Sequence, residues 1–446
     1  MKQVNIFTTA MVTYMAQLVA SAATVADCQN VTAPDFIGKA ATYSTSLLVV
    51  MECVSSQAPI GFCLAAVDPE TMDVLTQWTA PVGRTAISNY WRVVDNHVIM
   101  PTLEGFIMEI QRFGTGASTT FTQVREVDVS ARLPSGSIIA RAGYTDDDDN
   151  LWLRPARRHN LQRVPGQPNR RKRHGRQREK NIYVITGPSG SEDHADARGH
   201  FYAFQANTAN GGGVIATWNE TYLAGNGVKP GGLSRGSGAT PGLLGQKYVA
   251  MTDNADSQIN LNVYRQASAM TEGQNSSFVC SVPLFEPGAS LNEASLTTHF
   301  DGTTYSAIIA NCYNSPSFLD VSDDDVNGSF NNLTQVATGV ARVRVNADES
   351  CELIWDLPIV ATMVTLSTTN GILDAYTQDR ELAVGGEYVW YIAAFDYVSG
   401  QEIWRKRVGA GGLYNPGPPH LQLGANGRIY EGVVGGVAWV EDSPSA

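Results

Sequence analysis

Four tryptophans recur in this chain with the same residue types in front of them, and that recurrence limits the possible folds more than any other feature. From Tyr391 to Gly412 the sequence runs YIAAFDYVSGQEIWRKRVGAGG: a β-rich run, an aspartate, a turn ending in Gly400, a short strand closing on Trp404 and a Gly-rich exit. The same order returns in LAAVDPETMDVLTQWTAPVG from Leu64 to Gly83, with Asp68 and Trp78. FYAFQANTANGGGVIATW repeats it from Phe201 to Trp218 with a looser turn, and ARVRVNADESCELIW from Ala341 to Trp355 is a fourth copy. A second piece lies just upstream of such units, a hairpin of two short strands. It begins at Asp95 (DNHVIMPTLEGFIMEI), Glu179 (EKNIYVITG) and Ala425 (ANGRIYEGVVGGVAWVED), with Gly105, Gly187 or Gly435 and Gly436 at or near the turn. Gly-bearing turns between apolar runs are what hairpins require.

Spacing turns the pattern into an architecture. Trp78, Trp218, Trp355 and Trp404 are separated by 140, 137 and 49 residues. A unit of about 46 to 49 residues divides these intervals into three, three and one, the length of a four-stranded propeller blade. A blade cannot bury both its faces alone, whereas blades packed side by side can. The closing Trp is expected to fill the space between adjacent blades. Composition agrees: 43% of the 446 residues are hydrophobic, only 17% are charged, and there are 42 Gly. That is enough apolar mass for a core and excludes collagen, coiled coil and wholesale disorder. The expected fold is therefore all-β, a single β-propeller of seven or eight four-stranded blades over residues 23–446.

The A-x-D-x-x-[ST]-G-x-x-x-W unit, Ala394 to Trp404, resembles the repeat of the quinoprotein-like (PQQ-repeat) β-propeller superfamily. The C-terminal half is also similar to a group of secreted fungal and bacterial propeller proteins, through MTDNAD (Met251 to Asp256), ANCYN (Ala310 to Asn314) and GGLYNPGPPHLQLGANGRIYEGVVGG. The resemblance covers residues 180–442 well and 45–130 loosely. It implies a propeller whose ring is closed by pairing N-terminal and C-terminal strands, which removes an open edge. It also raises a quinone-dependent dehydrogenase, which would clamp its cofactor with a Trp and a vicinal disulfide and hold calcium with Glu, Asn and Asp. The sequence has no adjacent Cys pair. Neither calcium nor quinone is supported by a complete motif.

Residues 1–22 read as a secretory signal: Lys2, an apolar stretch from Ile6 to Val19, then the small residues Ala20-Ser21-Ala22. Thr8, Thr9, Thr13, Tyr14 and Gln17 interrupt the run, which disfavours a membrane anchor. Export agrees with six cysteines lacking any C-x-x-C: Cys28, Cys53, Cys63, Cys280, Cys312 and Cys351. Cys53 with Cys63 is the easiest local bridge. Cys280 with Cys312 is expected to tie neighbouring strands, leaving Cys28 for Cys351. Buried free thiols are the alternative. Five sequons, at Asn30, Asn219, Asn275, Asn327 and Asn332, point to an N-glycosylated protein, and with the basic run below to a fungal or other eukaryotic source.

The net charge of -12, from 31 basic and 43 acidic residues, hides an asymmetry. Arg154 to Lys180 holds eleven bases and one acid, leaving 20 bases against 42 acids elsewhere. An acidic body repels phosphate backbones, and the basic run has no interleaved aromatics to stack bases, so nucleic acid is excluded as a partner. The tract 153–180 reads as a basic disordered insertion. A processing site at Arg170-Arg171-Lys172-Arg173 and a translation artefact remain open beside that reading.

Propellers place ligands on loops at the mouth of the central channel. Asp253, Asn254 and Asp256 follow one apolar strand, and Asn311 and Tyr313 another. Tyr414, Asn415 and His420 lie in a Gly/Pro-rich loop. Together they could hold a cation or a small polar molecule or glycan, or they could simply cap turns. Asp146 to Asp149 and Asp323 to Asp325 lack EF-hand spacing. His194, Asp196 and His200 lack a third strong ligand, so no metal site is assigned. No G-x-S-x-G elbow or phosphate-cradling G-x-x-x-x-G-K-[ST] is present. The expected function is a secreted, monomeric binding or accessory protein without a membrane span. The alternative is an enzyme acting on a secreted metabolite, whether an oxidoreductase, a lyase or a hydrolase.

Overall fold

The computed structural model describes residues 23–25, 47–53, 61–68, 71–85, 92–94, 97–132, 139–145, 151–155, 162–164, 181–188, 191, 193–207, 214–274, 276–316, 331–361, 363–416, 421–424, 427–433 and 436–442. A little over half of them are in strands, and most of the rest form turns and loops. β1 (Ala23–Val25) comes first. Sheet I is β2 (Leu47–Cys53), β3 (Gly61–Val67) and β4 (Val74–Thr79). Sheet II is β5 (Arg92–Val94), β6 (His97–Pro101), β7 (Phe106–Phe113) and β8 (Thr120–Asp128). Sheet III is β9 (Ile139–Thr145), β10 (Leu151–Pro155) and β11 (Gln162–Val164), and sheet IV is β12 (Ile182–Thr186), β13 (Arg198–Ala206) and β14 (Val214–Leu223). Sheet V is β15 (Gly242–Leu244), β16 (Tyr248–Thr252), β17 (Asn260–Arg265) and β18 (Phe278–Pro283). Sheet VI is β19 (Thr297–Phe300), β20 (Tyr305–Ala310), β21 (Val340–Val345) and β22 (Cys351–Leu357). Sheet VII is β23 (Val364–Ser367), β24 (Ile372–Gln378), β25 (Val389–Asp396) and β26 (Glu402–Ala410). Sheet VIII is β27 (Gln422–Leu423), β28 (Ile429–Val433) and β29 (Gly436–Asp442), with β1 added parallel to β29.

Every sheet follows chain order apart from the β1 seam, and the neighbours in sheets I to III and V to VIII are otherwise antiparallel, the up-and-down plan of propeller blades. The fold is all-β and of the propeller class. Among the described residues eight sheets stand, five of four strands and three of three. β1 supplies the expected pairing of N-terminal with C-terminal strand. The one α-helix among the described residues is α1 (Arg380–Val384), and no helix there is long and apolar enough to cross a membrane.

The chain divides into two compact units, one with Ser44–Ile182 and Phe204–Ala216, the other with Tyr183–Ala203 and Thr217–Ala446. In the second unit β15 touches β19, β19 touches β23 and β23 touches β27, so consecutive first strands line up side by side. Second strands such as YVAMT (β16) and ILDAYTQ (β24) are buried at every position, because sheets cover them on both faces. Last strands such as β14 and β26 mix exposed with covered positions, one face toward the next sheet and one toward solvent.

The tryptophans lie where the repeat places them. Trp78 packs on Val98, Met100, Met108 and Ile110 of the following sheet, all in the first unit. Trp355 packs on Leu373, Ala375 and Phe395 of sheet VII, and Trp404 on the cluster holding Ala438 and Val440 of sheet VIII. The recurring aspartate shapes the turn before them: Asp396 Oδ1 accepts the Ser399 backbone N–H at 2.7 Å and its hydroxyl at 3.0 Å.

One expectation changes. Cys280 is bonded to Cys351, 71 residues on, and not to Cys312. Both lie near the starts of fourth strands in neighbouring sheets, whereas Cys312 follows a second strand at the opposite end and is a buried free thiol, with burial pushing its pKa up to about 11. Closing a loop of that length stabilises a chain by about 4 kcal/mol. Cys28 and the side chains of Cys53 and Cys63 lie outside the described residues. Of the tract 153–180, residues 153–155 and 162–164 are described. Leu153 pairs with Gln162 and Trp152 with Arg163, so part of the basic tract completes sheet III. The apolar Leu151-Trp152-Leu153 run starts that pairing, and 165–180 lie outside the described residues.

Candidate functional site

In an up-and-down sheet the turn after the second strand and the connector into the first strand share one end. The candidates Asp253, Asn254, Asp256, Asn311 and Tyr313 follow second strands, so within the second unit they belong to the same loop end. Asp253 is buried. Its Oδ1 accepts the backbone N–H groups of Asn260 (2.8 Å) and Ala255 (3.3 Å), and its Oδ2 accepts Nδ2 of Asn260 (2.9 Å) and of Asn262 (3.4 Å). Burial raises its pKa against the pull of those bonds. Asn311 is also buried and spends both ends of its amide on backbone. Its Oδ1 accepts from Leu291 and Tyr313, and its Nδ2 donates to Ala289 and Thr338. These two side chains brace loops, which is the turn-capping role the sequence left open.

What joins the loops is a segment the motif reading passed over, GNGVKPGGLSRGSG from Gly225 to Gly238, the connector from β14 to β15. Lys229 Nζ donates to the carbonyls of Ala255 (2.5 Å) and Ser290 (3.1 Å), and the Asn314 N–H donates to the Pro230 carbonyl at 2.8 Å. Asp256 Oδ1 accepts the Asn226 N–H at 2.8 Å, and Glu293 Oε1 accepts the Leu233 N–H at 3.2 Å. Arg235 pairs with Asp193 and donates to the carbonyls of His194 (2.9 Å) and Gly225 (2.8 Å). The strap thereby fastens loops of three consecutive sheets. Desolvation lowers the pKa of the half-buried Lys229, with Asp253 and Asp256 opposing it. Asn254 is 1% exposed; its Nδ2 donates to the Ala224 carbonyl at 3.1 Å while its Oδ1 has no partner among the described residues. The density of glycine was the available sequence signal, since a strap laid flat over other loops leaves little room for side chains.

Tyr414 and Asn415 follow β26. The Tyr414 carbonyl accepts the Tyr376 hydroxyl at 2.8 Å, and Asn415 is buried. His420 lies outside the described residues, as do Asp146 to Asp149, Asp323 to Asp325, Asn30, Asn275 and Asn327. His194 and Asp196 sit in the turn after β12, whereas His200 stands on β13, 3.1 Å from Asn219 Oδ1. No group of three His, Cys, Asp or Glu among the described residues is placed to hold a metal. The quinone clamp does not fit either, since Cys280 pairs with distant Cys351 and Cys312 is a lone thiol.

A second site lies at the outer rim of the same unit. A cleft of about 430 Å³ is lined by Trp218, Asn219, Glu220, Ala267, Met270 and Gln274, with Thr217 and Ser277 at its edge. Glu220 Oε1 accepts the hydroxyls of Ser276 (3.1 Å) and Ser277 (2.9 Å) and the Ser277 N–H (2.8 Å), bolting the β17–β18 loop to β14. The sequence marked Trp218 as a packing residue and Asn219 as a sequon, but a cleft between neighbouring sheets has no signature in either.

No family model matches the chain, and no curated protein matches it. Among solved structures, BamB from Moraxella catarrhalis is 11% identical over 88% of this chain and 98% of its own, with a TM-score of 0.34. A protein from Lactobacillus plantarum is 12% identical over 82% and 97%, with a TM-score of 0.40. The β-propeller domain of Cps50 (Swd1) from Myceliophteria thermophila is 8% identical over 85% and 91%, at 0.35. Likenesses of this order carry no argument about activity, and the fold assignment rests on the strand topology above.

Proposed function

We propose that the chain is an exported, N-glycosylated, monomeric binding or accessory protein that takes a small polar molecule or glycan at the loop end of its second unit. The observation that carries this reading is Lys229. Its ammonium is half-buried under the strap, commits two of its three N–H donors to carbonyls and stands near Asp253 and Asp256. The remaining donor, near the exposed Asp256 carboxylate, suits a hydroxylated ligand, and polar groups placed by a rigid scaffold are how small-molecule sites gain specificity. The leader and sequons support export, and the acidic body supports a partner other than nucleic acid. The likeness to the PQQ-repeat superfamily supports the blade unit, not a quinone.

The test is native mass spectrometry of the protein from a eukaryotic secretory host, followed by calorimetry with hexoses, amino sugars, polyols and hydroxy acids. One class should bind, and Lys229→Met should weaken it by about tenfold or more, the worth of a charge-assisted hydrogen bond. Unchanged binding in Lys229→Met, or no binding by the parent protein, ends this reading. One observation favours an enzyme at the same loops: burial raises the pKa of Asp253 while desolvation lowers that of Lys229, bringing an acid and a base closer together. Turnover of a panel compound that Lys229→Met abolishes without loss of binding would decide for it.

A further inference from the structure

The rim cleft is far from spent by the loop-end reading, and a modification motif opens beside it. Asn219 stands exposed on β14 with Oδ1 against His200 Nδ1, and its Nδ2 has no partner among the described residues. Thr221, the third residue of its sequon, is exposed as well. Asn332 differs: its Oδ1 is already held by the Thr334 N–H (3.0 Å) and hydroxyl (2.7 Å). The cleft beside Asn219 is amphipathic in the way a sugar is. Trp218, Ala267 and Met270 give it an apolar side, and Glu220, Gln274 and Ser277 a polar one. Its volume of about 430 Å³ lies within the range of small-ligand sites.

We propose that Asn219 carries an N-linked glycan whose first N-acetylhexosamine lies in this cleft, bracing β14 against the 267–277 loop. The sugar's carbon face rests on the Trp218 side, and its hydroxyl and acetamido groups meet Gln274 and Glu220. Attachment exchanges one bond for another. Nδ2 attacks the anomeric carbon of a lipid-diphosphate-linked oligosaccharide, the C–O bond to the diphosphate breaks, the diphosphate leaves with the electron pair, and one amide proton is lost. Nothing is oxidised or reduced.

The proposal rests on export, and the experiment separates the two. The full chain is expressed in a eukaryotic secretory host, and glycopeptides of the secreted protein are mapped by mass spectrometry. Deuterium uptake of the native protein is followed before and after enzymatic deglycosylation, and in Asn219→Gln and Asn332→Gln. Expected are occupancy at Asn219 and, on loss of that glycan, exchange about tenfold faster in 267–277. Asn332→Gln leaves that loop unchanged. A secreted protein with Asn219 empty, or with exchange in 267–277 indifferent to the Asn219 glycan, overturns the proposal and leaves export standing. A chain retained in the cytosol with every sequon bare overturns both.

Discussion

Trp218 and Trp355 hold the same place in their sheets and meet different surroundings. Trp355 is 9% exposed, donates its indole N–H to the Tyr397 carbonyl at 3.0 Å and lies flat on the turn that ends at Gly400. Trp218 stacks on Tyr264 (6.0 Å, 23°) and meets Phe201 edge-on (5.1 Å, 75°), but its buried indole N–H has no partner among the described residues and one side of it borders the cleft. The cause is the turn of the following sheet. In sheet VII the chain passes from β25 to β26 through Tyr397 to Gln401, tight enough to lay a carbonyl and a glycine against the ring. In sheet V the same connection runs from Gln266 to Ser277 and stands off. One repeat residue thus seals a joint in one place and borders a binding-sized space in another, because the loop it meets differs.

The largest expected effect sits at the sealed joint. Trp355→Ala should cost about 3–5 kcal/mol through lost packing and an unfilled cavity, read from the denaturant midpoint at constant m-value. Trp218→Ala should cost roughly half as much, because its cleft side has fewer contacts to lose. Equal losses would erase the distinction. Next comes the turn itself. Gly400 has φ +75°, and an added Cβ would lie 2.9 Å from Trp355 Cγ. Gly400→Ala therefore combines about 1–2 kcal/mol of backbone strain with about 1–3 kcal/mol of overpacking. Gly273, in the loop beside the cleft, has φ +88° and nothing within 4 Å of an added Cβ, so Gly273→Ala should show only the strain of about 1–2 kcal/mol. The difference between the two variants measures how tightly the joint is closed.

How much of this was legible follows from what repeats. The order Asp, turn, Gly, Trp could be read because Asp396 must close its turn, Gly400 must take positive φ there, and Trp355 of the preceding sheet must lie on that glycine. Residues that meet across such a joint recur with the repeat, and recurrence is visible in one sequence. The disulfide was misread because sequence proximity suggested Cys312, whereas side-by-side sheets bring starts of fourth strands together across 71 residues. Asp253 and Asn311 were found as polar residues after apolar strands, yet no sequence pattern distinguishes an amide aimed at a ligand from one spent on four backbone groups. Lys229 was missed because its ammonium bonds to carbonyls 26 and 61 residues away, which no local pattern marks.

The smallest effect sharpens the contrast between paired and unpaired buried groups. Asp374 lies in β24 between Leu373 and Ala375, both of which pack in the cluster around Trp355; it is 2% exposed, and its Oδ1 has no hydrogen-bond partner among the described residues. Burial raises its pKa well above the usual carboxylate value of 3.8. The folded chain therefore holds a proton that the unfolded chain releases once pH exceeds that value. Stability falls as pH rises from there toward the folded-state pKa, then levels off. Asp374→Asn keeps the shape and removes the proton, so its melting temperature should exceed that of the parent protein at neutral pH. The gain should shrink on acidification and vanish below about pH 4, where both states of the parent carry the proton. A gain constant across pH would place the benefit in packing and not in the carboxyl, whereas a loss at neutral pH would mean that Asp374 is ionised and held by a partner.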